Sequence, residues 1–461
     1  MNQPLHFDPK IIRIHELLRQ AGATDVLFVG GFVRDHVLGI PSKDMDLEIY
    51  GLTYQQIIAA LRPHFRVGQV GQSFSVLKID NEIDLAIPRR ERKTGVGHKA
   101  FEVVADSSMS FQEAASRRDF TINAIGMRLD GTFCDPFGGL GDLKRGILRA
   151  PTEAFCEDPL RVLRGMQFAA RFGFSMESRT VEFCRKVLPE FKTLSCERLY
   201  TEWEKWALKG KWPEKGLDVL RETGWLECFP ELFAMMQTEQ DPEVHPEGNV
   251  WEHTRKVCIS AAKIAEKRNF SAHERLCLMF SALVHDIGKP AAWKKDENGR
   301  ISMPGHAVLG AQTAFDFFQK LRAPLNVSRT IRPLVALHGW HFHHPADPSS
   351  VRHLTDELAP ASFRLWHALV SADRDGRGLH APQGDLLYPE WAKLAEELDL
   401  WENRPPQILF GRDLMHFGIR PGAQMGPLLQ KIRQAELNGE FTNHADGLKW
   451  LEGFLKTEIQ E

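Results

Sequence analysis

Four consecutive apolar residues, Val26-Leu27-Phe28-Val29, run without a polar break into Gly30-Gly31, and this junction constrains the fold more than any other stretch of the chain. A short apolar run ended by a glycine turn reads as a buried strand. After the turn come Phe32-Val33-Arg34-Asp35, read as a helix start, and then Lys43-Asp44-Met45-Asp46-Leu47-Glu48. Further strand-like segments lie at Asp46 to Tyr50, Phe74 to Ile79 and Ile83 to Ile87, with helical stretches at Tyr54 to Leu61 and Phe111 to Ser116. An amphipathic helix carrying Ile11, Ile14, Leu17 and Leu18 precedes them. Strands and helices at this spacing predict a mixed α/β sheet domain that ends near residue 150.

Beyond that point strand-like alternation nearly vanishes. Leu160 to Phe172, Leu199 to Leu208 and Ala272 to Leu283 carry apolar residues at helical period, so the fold class is α+β, a mixed head followed by mainly helical regions. Turn-forming runs at Asp241 to Gly248 and at Asn403-Arg404-Pro405-Pro406 mark breaks. With the change of texture near residue 150 they divide the chain into segments 1–150, 151–240, 241–402 and 403–461. A length of 461 residues suits several domains, and 43% apolar with 26% charged residues argues against disorder.

No apolar run is long enough to span a bilayer, and the start MNQPLHFDPK lacks a secretory layout, so a cytoplasmic location is expected. Seven scattered cysteines without a C-x-x-C pair suggest neither a disulfide framework nor a cysteine zinc site. The net charge of −3 excludes wholesale coating of nucleic acid but leaves room for a basic groove.

Side chains alternate along a strand, so Asp44 and Asp46 project to the same side and can approach one cation site. Mg²⁺ prefers such oxygens, and ions held there can activate a hydroxyl and neutralise a departing pyrophosphate. D-x-D by itself is common at solvated strand edges; the preceding residues make it specific. Gly30-Gly31 lets the backbone approach phosphate oxygens, the helix start presents amides, and Arg34 adds a fork-shaped cation that Asp35 orients. Neither a Walker A nor a G-x-G-x-x-G pattern is present here.

The motifs continue in order as Arg117-Arg118-Asp119-Phe120-Thr121-Ile122-Asn123-Ala124, Asp135-Pro136-Phe137-Gly138-Gly139 and Glu157-Asp158-Pro159-Leu160-Arg161. Together, over about residues 25 to 240, they resemble the bacterial class II tRNA nucleotidyltransferase family, which comprises CCA-adding enzymes and bacterial poly(A) polymerases. The resemblance implies a palm-like head in which Asp44 and Asp46 bind catalytic Mg²⁺. It further implies that Gly31 and Arg34 hold the triphosphate of CTP or ATP, and that Arg118, Asp119 and Asn123 line the nucleotide site. Asp84, on a neighbouring strand, is a candidate third carboxylate.

Pro159 suits a first helical position, and Asp158 and Arg161, three residues apart, can face the same way. An acceptor beside a donor matches the exocyclic amine and adjacent ring nitrogen shared by cytosine and adenine and mismatches uracil and guanine. The resemblance assigns the pair the same role, as an amino-acid template. Arg164, Phe168 and Arg171 continue that stripe, with the arginines reaching the triphosphate or the RNA end. The basic, glycine-interrupted Glu91 to Lys99 is read as a loop; its family counterpart serves the switch from C to A addition.

Farther along, His253, His285-Asp286-Ile287-Gly288-Lys289 and Asp373 form an H…HD…D set, a mixed nitrogen and oxygen site suited to Mn²⁺, Ni²⁺, Fe²⁺ or Mg²⁺ and to metal-assisted phosphoester hydrolysis. It resembles the HD phosphohydrolase superfamily, implying phosphatase and 2′,3′-cyclic phosphodiesterase activity. His306 and His338 are candidate ligands of a second metal, and Lys289 is placed to contact phosphate. Ile408 to Leu437 reads as a small helical hairpin, expected to touch tRNA, in which Lys431 and Arg433 equally suit an ordinary surface.

The leading expectation is addition of C, C and A to the tRNA 3′ end from CTP and ATP, with pyrophosphate released. An A-adding-only enzyme or a poly(A) polymerase is the alternative within the family, and the nearly neutral end at Glu452 to Glu461 disfavours the polymerase. An HD hydrolase with a vestigial head is the alternative from another class. Monomer and dimer both stay open.

Overall fold

A computed structural model of the chain describes residues 8–42, 45–70, 76–80, 82–93, 101–378 and 388–458. The chain packs as two compact units, Met1–Cys228 and Phe229–Glu461. No helix among the described residues is long and apolar enough to cross a membrane.

In the first unit, helix α1 (Pro9–Gln20) buries Ile11, Ile14, Leu17 and Leu18, as their spacing predicts, and Asp8 caps it by accepting from Lys10 N. Strand β1 (Asp25–Phe28) leads through Gly30 into helix α2 (Gly31–Val37), followed by β2 (Met45–Tyr50) and α3 (Tyr54–Leu61). Strands β3 (Val67–Val70), β4 (Val76–Ile79) and β5 (Ile83–Ala86) come next, then β6 (Arg89–Lys93), β7 (Phe101–Ala105) and α4 (Phe111–Ser116). Two short strands, β8 (Gly126–Met127) and β9 (Phe133–Cys134), complete a seven-stranded sheet of order β3-β4-β5-β2-β1-β8-β9. Only β2 and β5 run parallel in it, which sets Asp46 beside Asp84 in register.

Strand β6 pairs antiparallel with β7 outside that sheet, so Glu91, Arg92 and Lys93 are strand rather than the loop their charge suggested. The partner Phe101-Glu102-Val103-Val104-Ala105 is rich in β-formers, and strand pairing overrides local polarity there. Residues 94–99 of the expected loop lie outside the described residues. Strand β3 escaped the sequence reading because Val67-Gly68-Gln69-Val70 is too short to show a period.

Asp135 caps helix α5 (Gly139–Arg145) by accepting from Gly139 N and Leu140 N. Helix α6 (Leu160–Phe172) starts directly after Pro159; helices α8 (Cys196–Lys209) and α9 (Pro213–Thr223) pack against it, and α7 (Ser178–Lys186) packs against α9. Trp203, Trp206 and Trp225 are fully buried among them.

The second unit is helical: α10 (Pro230–Gln237), α11 (Val250–Lys267), α12 (Ala272–Val284), α13 (Lys289–Ala292), α14 (His306–Lys320), α15 (Leu325–Leu337), α16 (Pro348–Glu357), α17 (Phe363–Gly376) and α18 (Pro389–Glu397). After them come α19 (Gly411–His416) and α20 (Met425–Asn438), two helices within the span read as a hairpin, and then α21 (His444–Glu458) beyond it. Leu409, Leu414, Ile432, Phe441, Leu451 and Leu455 give these three a core of their own. They dock on α16, where Arg352 donates to Leu437 O and Arg433 pairs with Asp356 at 2.7 Å. Arg433 also donates to the carbonyls of Pro405 and Pro406, so it is a structural tie and not a surface residue.

A Cβ added to Gly139 would lie 2.2 Å from Thr121 O, backbone that cannot retreat cheaply. Gly139→Ala is therefore expected to cost about 3 kcal/mol of stability in urea unfolding, whereas Gly422→Ala, with open space around it, leaves the midpoint unchanged.

Candidate functional site

Gly30 adopts φ 67° and ψ −134°, a conformation that favours glycine. A Cβ there would stand 3.3 Å from Arg118 Nη1 and 3.6 Å from Asp46 Oδ2, so the bare backbone forms a floor between a cation and a carboxylate. Val29 N donates to Asp46 O, tying β1 to β2 at this point. Asp46 is exposed. Asp84, its neighbour across the parallel pair, lies 3.4 Å from Lys78 Nζ. Asp44 lies outside the described residues.

Gly31 opens helix α2, and Arg34, one turn on, folds back beneath it. Arg34 is only 4% exposed. Its Nε donates to Asp35 Oδ1 at 2.8 Å and its Nη1 to Asn123 Oδ1 at 2.7 Å, and its guanidinium lies over the rings of Phe168 and Phe172. Asp35 also receives Arg171 at 3.0 Å. Asn123 in turn donates to Asp119 Oδ1, whose other oxygen pairs with Arg164 at 2.7 Å. Burial alone would raise the Asp119 carboxyl, but Arg164 and the Asn123 amide outweigh it and hold it below the usual carboxylate range.

Asp158, Arg161, Arg118 and Asp119 line one cleft of about 490 Å³, together with Glu48 and Arg198. Asp158 and Arg161 do face the same space, yet each is held by other groups. Arg198 Nη2 donates to Asp158 Oδ2 at 2.8 Å, while Arg161 donates to the carbonyls of Ala154 and Arg117.

The second centre lies within the helical unit. His253 on α11, His285 and Asp286 at the end of α12, and Asp373 on α17 are all buried. His253 Nε2 lies 3.2 Å from His285 Nε2 and 2.9 Å from Asp373 Oδ1. Asp286 turns Oδ2 toward His285, at 3.2 Å, and Oδ1 toward His306, at 3.4 Å, and His338, at 3.8 Å. His306 and His338 are themselves 3.3 Å apart through their Nε2 atoms. Gly288 lets α14 come this close, since a Cβ there would lie 2.1 Å from His306 O.

Backbone carbonyls of Ala282, Met303 and Val335 sit 3.0, 2.9 and 2.8 Å from the Nδ1 atoms of His285, His306 and His338, and Glu247 Oε1 sits 2.7 Å from His253 Nδ1. These outer partners fix the ring orientations, and the Nε2 atoms of all four rings turn toward the Asp286 and Asp373 carboxylates. Such a donor set fits a divalent cation, with the outer partners fixing each ring. Burial opposes charge on Asp286 and Asp373, but His285 and Lys289 outweigh it for the first and His253 and Arg377 for the second, leaving both carboxyls well below their ordinary range. Burial pushes His338 down to about 4, so its ring is neutral and able to ligate. Lys289 Nζ is 2.7 Å from Asp286 and also donates to Gln240.

Sequence reading missed four participants. Glu48 reads in the sequence as the tail of the acidic run, although it shares the two-residue period of Asp46. Arg198 lies far along the chain with nothing local to mark it. His245 and Glu247 fall in a turn-forming stretch, where Glu247 bridges both His245, at 2.8 Å, and His253.

Residues 26–149 match the family of the poly A polymerase head domain, 173–236 the probable RNA and SrmB-binding site of polymerase A, and 250–358 the HD domain. The chain is 34% identical over 419 residues to a multifunctional CCA protein of Nitrosococcus oceani, covering 89% of this chain and 97% of the relative. It is 37% identical over 386 residues to one of Neisseria gonorrhoeae, covering 80% and 88%. Among solved structures, the CCA-adding enzyme of Bacillus stearothermophilus in complex with CTP superposes with a TM-score of 0.65 at 22% identity, over 98% of this chain and 100% of that one. The Thermotoga maritima CCA-adding enzyme complexed with tRNA gives 0.57 at 21%, over 97% and 95%. At such identity the structural likeness speaks for the fold.

The depressed Asp119 carboxyl contributes stability that is present above its unfolded pKa of about 3.9 and is lost as pH falls through the folded value. Asp119→Asn should thus be less stable than the parent by about 2–3 kcal/mol near pH 7. Urea midpoints measured down a pH series should show that gap closing below about pH 4.

Proposed function

The chain belongs to the family of multifunctional CCA proteins, and on that premise we propose that it adds C, C and A in turn to the 3′ end of tRNA, using CTP and ATP and releasing pyrophosphate, without a nucleic-acid template. The observation that carries this reading is the single cleft shared by Asp158, Arg161, Arg118 and Asp119. Arg118 reaches from that cleft to the Gly30 backbone, which Asp46 also adjoins. Triphosphate chemistry and base choice thereby fall in adjoining space.

Asp44 and Asp46 are the residues that would hold Mg²⁺, which when bound supplies charge neutralisation and hydroxyl activation. Asp84 is the candidate third carboxylate. The triphosphate lies along Gly31 with Arg118 beside it, while Arg34 braces the cradle from below. Asp158 retains acceptor lone pairs beyond those used by Arg198 and Leu160 N. It accepts from the exocyclic amine of cytosine or adenine, and Arg161 donates to the adjacent ring nitrogen. Uracil and guanine present the opposite polarity, which costs about 1–3 kcal/mol per unsatisfied group. Asn123 and Arg164 fix Asp119 in the wall. The reaction belongs in the cytoplasm.

Both divisions of function rest on divalent ions, as nucleotidyltransferase and HD domains imply. In the HD domain His253, His285, Asp286 and Asp373 would hold Mn²⁺, Ni²⁺, Fe²⁺ or Mg²⁺, with His306 and His338 serving a second ion. A cleft of about 590 Å³ opens on Asp286, Lys289, His306, His338 and Arg377, and suits a phosphomonoester or a 2′,3′-cyclic phosphate.

With tRNA lacking its CCA end, CTP and ATP, the purified protein should yield a product three nucleotides longer on a denaturing gel. A ladder of added A, or extension only of tRNA already ending in CC, would overturn full CCA addition. Asp46→Ala should abolish every incorporation, whereas Asp158→Ala should reduce discrimination against UTP about 10- to 100-fold while retaining catalysis. His253→Ala should lose hydrolysis of 2′,3′-cyclic AMP yet keep CCA addition; parallel loss of both would refute separate centres.

A further inference from the structure

Glu48 stands two residues beyond Asp46 on β2, so both carboxylates point to the same face of the strand. Their surroundings differ sharply. Asp46 is exposed, whereas Glu48 is 9% exposed and stands in register with Ala86, which gives it no polar partner across the parallel pair. A carboxylate taken out of water in a sheet interior is costly unless bonded. Its Oε2 accepts from two donors, Tyr50 O–H at 2.7 Å and Arg118 Nη2 at 3.1 Å. Tyr50 is itself buried and meets Phe111 edge-on, so the oxygen it holds cannot wander. Burial, followed by the charge of Glu48, pushes the phenol upward, and it stays a donor.

The other side of the Arg118 guanidinium faces the nucleotide cradle, with Nη1 3.3 Å from where a Gly30 Cβ would be. One planar fork is thus gripped at one nitrogen and offered at the other. A free arginine side chain surrenders rotamer entropy when it binds, and clamping it beforehand removes that cost from substrate binding. The two carboxylates of the strand are used differently: Glu48 bonds Arg118 directly, whereas Asp46 lies beside the same Gly30 backbone that Arg118 Nη1 faces.

We propose that Glu48, fixed by Tyr50, is a positioning residue for nucleotide addition, aiming Arg118 across Gly30 at the triphosphate. This deepens the nucleotidyl-transfer reading and rests on it. The grip acts on the triphosphate and not on the base, so it serves CTP and ATP alike.

The test is a steady-state comparison of the full-length parent, Glu48→Ala, Glu48→Gln, Tyr50→Phe, Arg118→Ala and the Glu48→Ala/Arg118→Ala pair, with tRNA lacking CCA for CTP and tRNA ending in CC for ATP. Glu48→Ala should raise KM for both nucleotides about tenfold with kcat little changed, and should weaken inhibition by inorganic pyrophosphate to the same degree. Glu48→Gln, which keeps an acceptor for both donors, should restore KM to within about threefold. The double variant should be no worse than Arg118→Ala alone, because two residues acting through one contact are non-additive. Tyr50→Phe, which keeps the charge and the packing, should raise KM about threefold and serves if Glu48→Ala does not fold. Unchanged KM in Glu48→Ala, multiplicative effects in the double variant, or pyrophosphate inhibition equal to the parent's would each overturn the inference. A parent protein that transfers no nucleotide would overturn the underlying reading instead.

Discussion

The buried guanidinium of Arg34 is the interaction on which the first unit depends. A cation with so little exposure must have every direction satisfied, and here each direction belongs to a different element: Asp35 on its own helix, Asn123 in the turn after the Arg118-Asp119 motif, and the rings of Phe168 and Phe172 on α6. The chain of charge then continues through Asn123 to Asp119 and Arg164, and through Asp35 to Arg171, returning twice to α6. Removing one partner of a buried pair costs about 3–5 kcal/mol, so these links are cooperative constraints on geometry. They fix the distance between the glycine turn at Gly30-Gly31 and helix α6.

The HD centre solves its electrostatic problem differently. Its rings are oriented from outside, by backbone carbonyls and by Glu247, while the carboxylates of Asp286 and Asp373 stay ionised against burial through neighbouring cations. A neutral ring at His338 and an ionised Asp286 are the protonation states that ligation needs. Each centre is assembled from residues of one compact unit.

Much of this was legible in the sequence because the informative patterns are local. Apolar spacing in α1 and α6, the glycine turn after β1 and the adjacency of His285 and Asp286 each depend on a few neighbouring residues. What stayed hidden depends on packing between distant segments. Asp158 was read as half of a pair with Arg161, yet its bonded partner is Arg198, forty positions on, and Arg161 turns to carbonyls at Ala154 and Arg117. Arg34 was read as a phosphate ligand from the motif alone, and nothing in that motif announces Phe168 and Phe172. His245 and Glu247 sit in a stretch whose composition says only turn. The pairing of β6 with β7 overrode the polarity of Arg89 to Lys93, since a strand needs a partner more than it needs an apolar face.

Arg352 and Arg433 tie α16 to the last three helices through Leu437, Asp356 and the prolyl carbonyls. During synthesis, α16 leaves the ribosome well before residues 433–438 exist. The helices bearing His253, His285 and Asp373 can pack as they emerge, but Asp356 and Arg352 on α16 wait for Arg433 and Leu437. The docked arrangement of α16 is therefore a late event in synthesis, because its two tying contacts wait for residues some eighty positions downstream.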